Sequence, residues 1–88
     1  MIKIYKEYLP LTVNDPIYTQ TQGKLLTIEQ QRDRVVLYFD AKSEYYHKYV
    51  IYLVETGKEV DVDGAKYYKT LMLLNGDDVL HVYIKEIE

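Results

Sequence analysis

The stretch YHKYVIYLV, residues 46–54, alternates in a way that only a β-strand accommodates. Tyr46, Lys48, Val50, Tyr52 and Val54 fall on one face. His47, Tyr49, Ile51 and Leu53 fall on the other, which grows more apolar toward its end and is therefore expected to point inward. Tyr49 should face the core with its hydroxyl reaching the sheet margin, and Tyr46 and Tyr52 should be exposed opposite it. Tyr45 is expected at the edge of the loop before the strand.

Most of the chain follows the same period. IKIYKEYL (2–9) alternates, with Ile2 and Ile4 on one side and Tyr5 and Leu9 on the other. Pro10 then marks a bend or an edge strand, and LTV (11–13) is a candidate continuation. NDP (14–16) is turn chemistry. GKLLTIEQQ (23–31) alternates around Leu26 and Ile28, and QRDR (31–34) is a polar reversal. VVLYFD (35–40) is a continuous apolar run suited to a strand buried on both faces, and AKSE (41–44) is a loop. ETGKEVDVDG (55–64) is the most loop-like segment. AKYYKTLMLL (65–74) is compatible with a helix capped by Asp63, with Tyr68, Leu71 and Met72 on one side, but is read as a strand that pairs with VLHVYIKEI (79–87) across NGDD, because Asn-Gly between apolar runs signals a hairpin. In the last strand Leu80, Val82 and Ile84 share one face and His81, Tyr83 and Lys85 the other. These segments predict an all-β fold: a small antiparallel sandwich or partly open barrel of six to seven strands, with little or no helix. The 88 residues suit a single domain over 1–88.

Charge and composition exclude several functions. Six basic and six acidic residues balance in 1–44, and five lysines face eight acidic residues in 45–88, so the net charge of −3 lies in the second half. No basic footprint for a phosphate backbone exists, and no nucleic-acid partner is expected. No apolar run is long enough to span a membrane as a helix. The N-terminal MIKIYKEYLPL lacks the apolar core of a signal peptide, and a cytoplasmic location is expected. There is no cysteine, hence neither disulfides nor thiolate metal sites. Tyrosine is in excess, eleven against one Phe and no Trp. Such an excess suits half-buried sheet faces and protein-binding surfaces alike.

No catalytic set emerges. EVDVDG (59–64) has acidic residues at alternate positions before a glycine, as a calcium loop does, but position twelve of such a loop would be Thr70 rather than a carboxylate. His47 and His81 would form a metal pair only if their strands brought them together. The single serine, Ser43, has no elbow glycines around it. No enzymatic activity and no cofactor are expected.

The order and spacing of several short pieces are similar to those of a family of small, uncharacterised phage-encoded proteins. The pieces are IYK (4–6), LTV (11–13) with Asp15, GKLLTIEQQ (23–31), VLYF (36–39), YVIYLVETGKEV (49–60), YYKT (67–70) and LHVY (80–83). This chain is richer in tyrosine over 45–52 and continues past LHVY to residue 88. The resemblance implies a compact β domain of phage origin, at work in the cytoplasm of an infected bacterium. It implies no catalytic residues. Small phage accessory proteins often bind and inhibit a host protein, including components of defence systems. The expectation is therefore a non-enzymatic binding protein, with Tyr46, Lys48 and Tyr52 as anchors ringed by Glu59, Asp61 and Asp63. Alternatives are a homodimer or larger self-assembly that hides an aromatic face, and a small-ligand module that stacks a nucleotide on tyrosine.

Overall fold

The computed structural model describes residues 1–42 and 45–87. Its strands are β1 (Ile4–Leu9), β2 (Ile17–Gln22), β3 (Leu25–Gln31), β4 (Arg34–Asp40), β5 (Tyr46–Glu55), β6 (Lys66–Leu73) and β7 (Asp78–Ile87). A single 3-10 turn, Leu74–Gly76, is the only helical piece among the described residues. Sheet A has the order β1-β4-β3 and sheet B the order β2-β5-β7-β6, with every pairing antiparallel. The described residues thus form an all-β sandwich of seven strands with no closed barrel, the first of the two architectures expected.

The core lies where the inner faces meet. Leu9, Ile28, Val35 and Leu37 come from sheet A, and Ile17, Tyr49, Ile51, Leu53, Leu71, Leu73, Leu80 and Val82 from sheet B. The inward face foreseen for 46–54 is the one observed. β4 is buried on both sides at Val35, Val36 and Leu37, as its continuous apolar run requires. Val36 points away from sheet B. It is covered by its own neighbours: the Tyr8 hydroxyl donates to Gln31 Oε1 at 3.2 Å from across β4, and the Arg34 guanidinium lies 4.0 Å from the Tyr8 ring centre.

The chain passes between the sheets at one tight corner. Gly23, between β2 and β3, has φ of 108°. A Cβ there would stand 1.7 Å from the carbonyl oxygen of Asp40. Only glycine permits that approach. The corner is closed by Gly23 N–H donating to Tyr45 O at 2.9 Å and Asp40 N–H donating to Lys24 O at 3.0 Å. Buried Thr21 bonds the Gly23 carbonyl at 2.8 Å. A second crossing, from β1 to β2, is pinned by Asn14, whose N–H donates to Leu53 O at 2.9 Å. Its side chain donates to Glu55 Oε1 at 2.8 Å and accepts from Glu55 N–H at 3.0 Å.

The structure corrects several local expectations. β2 was not anticipated, because its inward positions include Thr19 and Thr21 rather than an apolar row. Leu26 and Ile28 do not share a face: a bulge between Leu25 and Thr27 leaves Leu26 exposed and Ile28 buried. Leu11–Val13 do not extend β1. The β6–β7 hairpin forms, but Leu73 pairs with Asp78, so its loop is the four residues 74–77 rather than a two-residue Asn-Gly turn. Of the loop expected over 41–44, Ser43 and Glu44 lie outside the described residues.

Candidate interaction surface

Two tyrosines from sheet B close the edge of sheet A. β3 is an edge strand, and the N–H groups of Leu25 and Ile28 point away from β4. The Tyr49 hydroxyl accepts from Leu25 N–H at 3.2 Å, and the Tyr68 hydroxyl accepts from Ile28 N–H at 3.3 Å while donating to Thr27 Oγ1 at 3.1 Å. Lys69 completes the seam with a 2.6 Å bond to Glu29 Oε2, and the lysine, followed by the Thr27 hydroxyl, holds the Glu29 carboxyl below its ordinary value. The hydroxyls of both tyrosines are thus committed to the edge of β3, although the Tyr68 ring stays 37% exposed.

The outer face of sheet B is divided. Residues 56–65 cross it as a strap. Val60, Val62 and Ala65 of the strap cluster with Val50, Tyr52, Val54, Tyr83 and Ile87 of the sheet. The Lys85 amine bonds the Asp63 carbonyl oxygen at 2.6 Å and its carboxylate at 3.6 Å. The alternation that turns Val60 and Val62 inward turns Glu59, Asp61 and Asp63 to solvent. Tyr52, expected to be exposed, is therefore only 5% accessible. Burial, then the nearby Asp63, Tyr18 and Asp61, raise its phenol pKa above the ordinary value.

The uncovered part of the face lies beyond the strap, at the start of β5. Tyr46 is 61% exposed and Lys48 is exposed beside it. On β2, Gln22 pairs with Tyr46, Gln20 with Lys48 and Tyr18 with Val50, so these side chains share the face. Tyr18 is 71% exposed. Two shallow open depressions share Lys48 and Ile87 as a common wall. Tyr46, His47 and Glu86 complete one, and Tyr18, Thr19, Gln20 and Tyr49 the other. Of the six residues expected to form a surface, Tyr46 and Lys48 stand together and Glu59, Asp61 and Asp63 are exposed on the strap. Tyr52 lies beneath the strap, and Tyr18 takes its place in the open patch.

The profile of a family described as Domain of unknown function (DUF7352) matches residues 1–88. The chain belongs to this family. No curated protein and no solved structure matches it. The match bears out membership, over the whole chain, of a family of unknown function, and it carries no indication of phage origin.

The patch contains no paired histidines. His47 lies 2.9 Å from Glu86 Oε2 through Nδ1 on the inner side of β5. His81 sits on the outer face of β7, its two ring nitrogens engaged by Thr56 at 2.8 Å and Thr70 at 3.0 Å. Among the described residues no group of three or more His, Cys, Asp or Glu is placed to hold a metal ion, and no helix is long and apolar enough to cross a membrane. The chemistry the patch offers is that of contact: two phenol rings, an ammonium between them, and the carboxylates of the strap at its border.

Proposed function

We propose that this DUF7352 protein is a non-enzymatic binding protein that docks on, and inhibits, a bacterial host protein through Tyr18, Tyr46 and Lys48. One observation carries the reading. Tyr18 and Tyr46 stand exposed on adjacent strands around Lys48, while the aromatic and aliphatic side chains next to them on the same face are covered by the strap. Tyrosine at such a site gives large contact area at low conformational cost. Asp61 and Asp63 border the patch and favour a partner with a basic rim, steering its approach. The resemblance to small phage-encoded proteins supports a bacterial host protein, a defence component among the candidates, as the partner class.

The test is capture of partners from a bacterial lysate on the tagged protein, compared with the double variant Tyr18→Ala/Tyr46→Ala. One stoichiometric host protein should be retained, and the variant should bind it more than about tenfold more weakly with an unchanged circular dichroism spectrum. Equal retention by both proteins, or recovery of the bait alone, would sink the proposal.

A further inference from the structure

The two edges of sheet A are treated differently. β3 has two of its outward N–H groups, those of Leu25 and Ile28, taken by Tyr49 and Tyr68. β1, at the other edge, is left open. The bond from Ala41 N–H to Lys3 O fixes the phase of the β1–β4 ladder: Lys3, Tyr5, Glu7 and Leu9 direct their backbone groups toward β4. Ile4, Lys6 and Tyr8 then direct theirs outward, and no bond to those groups is formed within the described residues. β1 also overhangs sheet B. β4 has β2 across from it, whereas β1 packs chiefly along β4 and reaches the core only with Leu9 at its end, so Tyr5 stays 48% exposed and Glu7 exposed on the side that faces the core elsewhere. Ile2 and Ile4, on the opposite side of the strand, are exposed too.

We infer that β1 pairs antiparallel with β1 of a second copy, on a two-fold axis at Tyr5, to make one six-stranded sheet β3-β4-β1-β1-β4-β3. The sequence IKIYKEY is matched to itself about that axis. Tyr5 meets its copy, Lys3 meets Glu7, Ile4 meets Lys6 and Ile2 meets Tyr8. Ile4 and Lys6 are the residues with free backbone groups, so they form the hydrogen-bonded pairs. Lys3 and Glu7 form non-hydrogen-bonded pairs, whose side chains approach most closely. Each dimer thus gains two Lys3–Glu7 ion pairs from residues with no ion pair among those described in the monomer; Lys3 Nζ rests 5.1 Å from the Tyr5 ring centre.

The charges also select the register. An axis at Lys6 or at Glu7 sets like charges against each other, and an axis further out shortens the ladder. Edge lysines ordinarily deter such pairing; here the partner's carboxylate answers one of the two. The overhang leaves space for both copies of sheet B on the same side, because three strand spacings, about 14 Å, separate the two β4 strands. The outer faces of sheet B, with Tyr46 and Lys48, remain uncovered.

The experiment is sedimentation velocity of the full chain over a concentration series, with Lys3→Glu, Glu7→Lys and the double reversal. Each single reversal should weaken self-association by about tenfold, and the double reversal should restore it. Because the chain has no cysteine, Tyr5→Cys adds one thiol on the axis and should give a covalent dimer on oxidation, whereas Tyr18→Cys should not. A monomer at every concentration, or a dimer indifferent to the single reversals, overturns the inference.

Discussion

Tyr49, Tyr68 and Tyr52 show how one residue type serves different ends within a small sandwich. Tyr49, from the core, and Tyr68, from the margin of β6, each bond a free amide of β3. Their rings fill space while their hydroxyls satisfy a strand edge that would otherwise template aggregation. Tyr52 is buried by the strap instead. Its phenol and that of Tyr49 are both raised above the ordinary value of 10.0. For Tyr49 burial dominates, the bond from Leu25 works against it and Glu86 adds to it. The folded state therefore holds the neutral phenols more firmly than the unfolded chain does. Stability is full below pH 10 and falls as the pH rises above it, because the unfolded chain ionises first. Absorbance titration should show an ionisation above the ordinary tyrosine range that diminishes in Tyr49→Phe and Tyr52→Phe. Tyr52→Phe should lessen the alkaline loss of thermal stability, and an unchanged loss would contradict this account. Gly23 is the other decisive residue. Gly23→Ala places a methyl group against the Asp40 backbone at a φ that alanine avoids, and should cost about 2–3 kcal/mol or more, measured by urea denaturation. A shift within error would mean that the corner relaxes freely.

At the scale of elements, β4, β5 and β7 were legible in the sequence because each is apolar where it is buried. β2 was not. Thr21 enters the interior as a polar residue satisfied by the Gly23 carbonyl, and Tyr18 turns outward, so its pattern is inverted relative to a strand with one oily face. The face of Tyr52 was also assigned correctly, but its cover was not, since alternation tells which way a side chain points and not what lies over it. A signal was present in EVDVD: two valines alternating with carboxylates in a loop need an apolar surface to rest on. The strap's hold can be tested with Val62→Asp. A carboxylate in that cluster should cost about 2 kcal/mol, speed proteolysis within 56–65 and move the Tyr52 phenol back toward its ordinary value. Unaltered cleavage would mean that Lys85 and Asp63 alone retain the strap. The candidate patch was half legible for the same reasons: Tyr46 and Lys48 follow from the β5 pattern, whereas Tyr18 required β2.

For the whole molecule, the two-sheet sandwich was foreseeable from the spacing of strands and turns, but the pairing order was not. β7, last in sequence, lies inside sheet B between β5 and β6, while β1, first in sequence, lies at the edge of sheet A. Local hairpins, β3–β4 and β6–β7, could be read from their turns. The β1–β4 and β2–β5 pairings join distant segments and leave no local trace. That arrangement has a mechanical consequence. The two terminal strands are held unequally: β7 is stitched on both sides from Leu80 to Ile84, β1 on one side only. Under tension applied at the termini the molecule would open from its N-terminal end, strand β1 peeling from β4 while β7 stayed locked in place. A fusion or surface tether is therefore better carried at the C-terminal end, where load passes into the middle of a sheet rather than its margin.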